Sequence, residues 1–167
     1  MKKIAFFLAC YYLFLPPLSA QSNFGSEAEL KKQASKFFDK EDYVSASPLY
    51  SQLISVYPAN PQYNYRFGTC LLFADRDKAK AIGYLKTASA SWDRPNDVWY
   101  FLGKAYHLNY QFDEAIQAFE EFKKQAKKKE LDLLNPDRQI EMCNNAKMLI
   151  QSSRAVQICG HKNRLRM

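Results

Sequence analysis

The sequence has little glycine and histidine, and it lacks the short motifs that mark common enzymes. Glycine occurs 5 times in 167 residues, which argues against a turn-rich β fold and favours helices. The chain has 2 histidines and contains no Ser/His/Asp set, no HExxH motif and no glycine-rich phosphate loop. We therefore predict a non-catalytic protein, with no catalytic residues, no metal site and no cofactor.

Paired cysteine motifs are also absent. Of the 4 cysteines, Cys10 lies in an apolar N-terminal run, and Cys70, Cys143 and Cys159 are an odd, widely spaced remainder without a CxxC motif. This pattern excludes a disulfide framework and a zinc site of the usual spacing. We expect buried, unpaired helix cysteines that act as small apolar residues.

The positive charge is concentrated at the two ends of the chain. The net charge is +7, but between Gln21 and Ile150 there are 18 basic and 17 acidic residues. The segment from Gln151 to Met167 contains four basic residues and no acidic one. A nucleic-acid-binding protein needs a basic face on its folded part. The near-neutral body therefore predicts no nucleic-acid partner.

Residues 1–20 have the pattern of a signal peptide. Lys2 and Lys3 precede the apolar run Ile4–Leu15, and Pro16-Pro17 is followed by Leu18-Ser19-Ala20. Small residues at this point suit a secretory peptidase, and a helix of this run would span about 18 Å, less than a bilayer core. We predict cleavage after Ala20, no membrane span afterwards, and a periplasmic or outer-membrane-associated protein. A membrane anchor and lipidation at Cys10 are the alternatives.

The stretch from Trp99 to Phe122 contains two helical patterns with a turn between them. Four of its motif residues share one helix face, and the last two lie on the next helix. The motif residues are Trp99, Leu102, Gly103, Tyr106, Ala115 and Phe119. This W-x2-L-G-x2-Y … A-x3-F pattern resembles the tetratricopeptide repeat (TPR), a helix–turn–helix unit of about 34 residues.

The same pattern recurs upstream at the TPR period. Gly103 maps 35 residues back onto Gly68, and a further 34 residues back onto Ala34, all small residues where two helices press together. We predict an all-α fold: a right-handed TPR superhelix of three repeats plus a C-terminal capping helix. The predicted segments are repeats at 27–60, 61–95 and 96–129, a capping helix at 135–153 and a loose basic tail at 154–167.

The TPR resemblance implies a binding groove. In that family the first helix of each repeat, helix A, lines the concave face, and fixed positions point into it. Carried onto this sequence, these positions predict the partner-binding residues Lys31, Ser35, Tyr65, Arg66, Thr69, Tyr100, Lys104 and His107. Lys31, Arg66 and Lys104 favour a protein or peptide partner with acidic groups or a free C-terminus. For each position, packing between helices is the alternative role.

A second, narrower resemblance lies at Arg138–Ile150. Its I-x-x-C-x-N-A-K pattern is similar to the junction helix of large bacterial envelope proteins, some linked to type IX secretion and gliding. In those proteins a TPR module precedes a β-propeller and a peptidoglycan-binding domain of the outer-membrane-protein-A type. The resemblance implies an adaptor in the bacterial cell envelope. The alternative is a truncated N-terminal module of such a protein, with no independent function.

Overall fold

The computed structural model describes the backbone of residues 26–74 and 78–164, with side chains up to residue 153. Over these ranges the chain forms eight α-helices and no strand, so the all-α prediction is confirmed. The helices are α1 (Glu27–Phe38), α2 (Tyr43–Val56), α3 (Pro61–Ala74), α4 (Ala79–Ser89), α5 (Val98–Leu108), α6 (Phe112–Gln125), α7 (Lys128–Leu134) and α8 (Pro136–Arg164). The predicted signal peptide at 1–20 lies outside the described residues. None of the helices in these ranges has the length and apolarity required to cross a membrane.

Side-chain caps mark the starts of the first helices. Ser26 Oγ accepts a hydrogen bond from the backbone N–H of Glu29 at the start of α1, and Asp42 does the same for Ser45 in α2. These oxygens satisfy N–H groups that have no partner within a helix. Asp97 occupies the N-cap position of α5 but makes no such bond, because its carboxylate accepts a hydrogen bond from Tyr65 of α3.

Consecutive helices pack against each other from α1 to α6. The pairs α1–α2, α3–α4 and α5–α6 fall within the three predicted repeats, and α2 and α4 also contact the helix that follows them. Two buried clusters fill the interior. The first centres on Tyr50, Leu53 and Leu85, and the second on Phe119 and Phe122, which are all at most 1% exposed. The apolar faces predicted from helical spacing thus form two clusters, and the partly buried Trp99, Phe101 and Tyr106 pack against both.

Helix α8 occupies the position of the next helix A. It packs on α6 as α3 packs on α2 and α5 packs on α4, with the short helix α7 inserted before it. Ion pairs from Lys123 to Asp137 and from Lys147 to Asp113 also join α6 to α8. Its exposed side is mostly polar, with Glu141, Asn144 and Asn145 among its residues, but Leu149 is also 70% exposed.

The C-terminal boundary differs from the sequence-based prediction. We expected a loose tail at 154–167, yet the backbone of α8 remains helical to Arg164. The expectation relied on the lack of apolar periodicity after residue 153. Periodicity reports packing, whereas an existing helix can extend by adding one backbone hydrogen bond for each residue fixed. Helix α7 was likewise not anticipated, because it is short and has no buried residue.

Candidate protein-binding face

The first helices of the three repeats lie side by side. The ring of Phe38 in α1 lies 6.3 Å from that of Tyr65 in α3, which lies 5.9 Å from that of Phe101 in α5. We call the surface formed by α1, α3 and α5 the helix-A face. All eight predicted binding residues belong to these three helices, so the sequence placed them on the same side of the array.

Arg66 connects the first repeat to the second. Its Nη1 donates hydrogen bonds to Tyr50 OH at 2.8 Å and to Ser35 Oγ at 2.9 Å. The guanidinium carbon also lies 5.0 Å from the centre of the Phe38 ring, and Nη1 is 3.8 Å from an Asp39 carboxylate oxygen. The structure therefore brings Ser35 and Arg66 together, and both are engaged within the chain.

Tyr65 connects the second repeat to the third. Its hydroxyl donates a hydrogen bond to Asp97 Oδ2 at 2.8 Å, and the side chain is 8% exposed. Burial raises the pKa of Tyr65, and the neighbouring Asp97 charge raises it further. Burial also raises the pKa of Asp97, although the bond from Tyr65 opposes this shift. Asp97 thus links two helices instead of capping α5.

Two further predicted residues are buried. Thr69 is 0% exposed, and its Oγ1 donates to the Tyr65 carbonyl at 2.9 Å. Tyr100 is 6% exposed and packs against the rings of Phe119 and Phe122. In this conformation Thr69 is inaccessible to a partner, which corrects its assignment as a contact residue. Neighbouring helices cover it because α3 packs against α2, α4 and α5, so that few of its side chains face outward.

The exposed centre of the helix-A face is an aromatic ring beside a lysine. Phe73 is 46% exposed and stacks on Tyr43 at 4.8 Å, with the Phe101 ring 6.2 Å away. Lys104 Nζ lies 5.3 Å from the centre of the Phe73 ring. Burial lowers the pKa of Lys104. Together these groups form an apolar surface with one cation at its edge.

Phe73 was missed by the sequence reasoning, because the fixed family position at this point of α3 falls on Leu72 instead. Leu72 is 3% exposed and belongs to the core. A signal was available, because Phe73 lies two helical turns after Arg66 and therefore shares its side of α3. The fixed family positions placed the groove one residue too early at this point.

His107 and Lys31 lie at opposite ends of the helix-A face. Lys31 is exposed on α1. His107 Nδ1 lies 3.1 Å from Cys143 Sγ in α8, and its ring meets the edge of Phe112. Burial lowers the pKa of His107, with a further contribution from the charge of Lys104, and burial raises the pKa of the Cys143 thiol. A thiol of raised pKa is a poor nucleophile, so this pair links two helices.

The described cysteines and acidic residues make no metal site. Cys70 and Cys143 are free and 0% exposed, as expected for small apolar helix residues. Burial raises the pKa of Cys70 to about 12. Within residues 26–74 and 78–153, no cluster of three or more His, Cys, Asp or Glu side chains could hold a metal ion.

Comparison with known proteins identifies the family. A family model described as tetratricopeptide repeat matches residues 31–95 and 70–129. The crystal structure of the Sgt2 TPR domain from Aspergillus fumigatus aligns with a TM-score of 0.56 at 21% identity, covering 76% of this chain and 81% of that one. At this identity the likeness concerns the fold alone, and no curated protein matches. Because the matched segments span more than half of the sequence, the chain belongs to the tetratricopeptide repeat family, and its helices form an all-α TPR superhelix.

Proposed function

We propose that this protein is a non-catalytic adaptor that binds a peptide or partner domain on its helix-A face. TPR proteins are generally scaffolds for protein–protein interaction, and this membership supports the class of function. The observation that carries the proposal is the exposed Phe73 ring with Lys104 beside it. A large uncovered aromatic side chain next to a cation offers both apolar contact area and a directional charge, as binding hot spots do.

The charges of the helix-A face favour an acidic partner. Lys104 and the exposed Lys31 are cationic, whereas the Arg66 charge is already balanced in part by Asp39. A carboxylate of the partner near Lys104 would form a charge-assisted hydrogen bond. An apolar side chain of the same partner would cover Phe73. The partner class is therefore a segment with an apolar residue next to an acidic residue or a C-terminal carboxylate.

Site-specific photo-crosslinking tests the proposal. A photoreactive phenylalanine analogue is placed at Phe73, and a matched one at Val56, which is 57% exposed on α2, outside the helix-A face. We expect a discrete crosslinked partner from position 73 only, and a loss of most of that product when Lys104→Glu is added. Equal products from both positions, or no effect of Lys104→Glu, would refute the assignment of this face.

The envelope location is a separate part of the proposal. It is supported by the signal-peptide pattern of residues 1–20 and by the resemblance of Arg138–Ile150 to envelope proteins. Expression with a C-terminal tag, followed by cell fractionation and N-terminal sequencing, tests it. We expect a periplasmic or outer-membrane fraction whose first residue is Gln21. A cytoplasmic protein that retains Met1 would contradict it.

The second candidate function is that of an N-terminal module of a larger peptidoglycan-anchored protein. The pattern at Arg138–Ile150 favours it, because in similar proteins this helix leads into a β-propeller. Sequencing of the gene and its downstream region in all frames separates the two candidates. Propeller-like sequence there would support the module, and its absence would leave the adaptor.

A further inference from the structure

A cleft lies between α4 and α6, away from the helix-A face. Its volume is about 670 Å³, and Trp99, Leu102 and Tyr106 of α5 form its floor. We call it the outer cleft. Trp99 and Tyr106 are only partly buried, whereas the neighbouring core residue Phe119 is 0% exposed. The two aromatic side chains are therefore not fully covered within the chain.

The two sides of the outer cleft differ in charge. The α6 side carries Glu114, Gln117 and Glu121, and the α4 side carries Lys86. Glu114 lies close enough to Tyr106 for its charge to raise the pKa of that phenol, in addition to the larger effect of burial. Because seven residues make two helical turns, Glu114 and Glu121 stand about 10 Å apart along α6. This wall thus carries two carboxylates beside aromatic rings, and the charge of Glu121 is balanced in part by Lys124 of the same helix.

A smaller cleft in the first half of the molecule lacks this charge pattern. That cleft, of about 430 Å³, lies between α2 and α3, and none of the described residues that line it is charged. At the positions one repeat before Trp99 and Tyr106 the chain has Asn64 and Leu71, which are 2% and 3% exposed. An aromatic floor with an acidic wall is therefore a property of the third repeat.

We propose that the outer cleft binds a basic segment of a partner protein through a lysine or arginine side chain. The cation would lie near Glu114 and Glu121, and its aliphatic stem would cover Trp99 and Tyr106. Aromatic ring faces attract cations, and long basic side chains can bury their methylene groups while the charge stays beside carboxylates. Lys86 on the other wall repels the cation and so directs it toward α6. An acidic segment would face two like charges.

Tryptophan fluorescence gives a direct test, because the chain has 2 tryptophans. Trp92 is 92% exposed, so Trp92→Phe leaves Trp99 as the reporter at little cost to the fold. The probe is a 14-residue amphipathic helical peptide of leucine, alanine and two lysines seven residues apart. Its analogue with glutamate in place of lysine is the control peptide. We expect a saturable change of Trp99 emission with the lysine peptide alone.

Charge-neutralising variants decide whether the acidic wall is responsible. The double variant Glu114→Gln/Glu121→Gln should bind the lysine peptide about tenfold more weakly, since two carboxylates beside aromatic rings are lost. Glu120→Gln is the matched control, because Glu120 is on the same helix and pairs with Lys123 as Glu121 pairs with Lys124, but it does not line the cleft. Circular dichroism verifies that all variants remain helical.

Three results would overturn the proposal. These are equal binding of the lysine and glutamate peptides, unchanged binding by the double variant, and no saturable emission change with the lysine peptide. Emission that depends on protein concentration alone would instead assign the cleft to a second copy of this chain. Binding here should also survive Lys104→Glu, which separates this inference from the proposed function of the helix-A face.

Discussion

Gly103 of α5 leaves room for the Phe119 ring of α6, the second helix of the third repeat. A Cβ atom on Gly103 would lie 2.7 Å from Cδ1 of the Phe119 ring, too close for any side chain without a shift of α5 or α6. Gly68 and Leu85 repeat this relationship one unit earlier, also at 2.7 Å. Glycine is thus required here by helix packing.

Gly103→Ala should destabilise the protein by about 1–3 kcal/mol, because the added methyl group overpacks a fully buried contact. Gly83→Ala is the matched control, since no described heavy atom outside its own helix surroundings lies within 4 Å of its would-be Cβ. There the higher helix propensity of alanine should stabilise the protein by about 0.5–1 kcal/mol. Urea unfolding followed by circular dichroism measures both. Effects of the same sign would contradict the packing argument.

Asn64 should contribute to stability through its amide, although it belongs to no binding site. It is 2% exposed, and its Nδ2 donates to the Pro58 carbonyl at 2.7 Å and to the Asn60 carbonyl at 2.8 Å. Asn64→Leu should cost about 1–3 kcal/mol, because both carbonyls lose a donor near the core. The exposed Asn145→Leu in α8 should change the free energy of unfolding by less than about 0.5 kcal/mol. A similar loss in both variants would argue against this role.

Arg66 should act as a structural residue, and Lys104 should act as a binding residue. Arg66→Met removes the donor of two hydrogen bonds, to Ser35 Oγ and to Tyr50 OH. Tyr50 is 0% exposed. We expect a loss of about 1–3 kcal/mol. Lys104→Gln removes only weak contacts with aromatic rings and should cost less than about 1 kcal/mol. Thermal unfolding compares the two, and equal losses would contradict this division. Charge reversal of Arg66 is therefore a poor test of partner binding.

Stability should fall on acidification because of His107. Burial, with a further effect of Lys104, places the pKa of His107 in the folded protein below its ordinary value of 6.5. The unfolded state therefore binds the proton first, so folding stability is lost as pH falls from above 6.5 toward the lower folded-state pKa. Protonation of His107 also places a positive charge beside Cys143, the residue of α8 that His107 contacts.

The variant His107→Gln isolates this effect from the second histidine, His161, and from the carboxylates. Thermal midpoints are measured between about pH 8 and pH 5, the range in which histidine titrates. The thermal midpoint of the parent minus that of His107→Gln should be smallest at the acidic end of this range. A difference that stays constant with pH would show that His107 does not titrate differently in the folded protein.

The repeat pattern was the part of the structure that the sequence predicted best. The spacing of Ala34, Gly68 and Gly103 predicted which helices pair and which residues lie where they touch. The paired helices follow that order, and Ala34 is 0% exposed. Such a prediction succeeds because each repeat is a local unit, and its helical periodicity and small residues all lie within about 34 consecutive residues.

The candidate binding face was harder to predict from the sequence. The sequence placed all its predicted residues on α1, α3 and α5, but could not tell that Thr69 is covered, that Arg66 is engaged by Tyr50, or that Phe73 is exposed. These outcomes depend on side chains of neighbouring repeats. The bond between Tyr65 and Asp97 likewise joins residues 32 positions apart, which no local pattern contains.

The sequence by itself thus determined the helical repeat, its period and the small residues at the helix crossings, because these follow from the geometry of one helix pair. Only the tertiary structure decided the exposed surface: Phe73 beside Lys104 on one side, and Trp99 and Tyr106 beside Glu114 on the other. The physical reason is that exposure depends on how each repeat is set against the next. That orientation arises from many contacts between residues roughly one repeat apart.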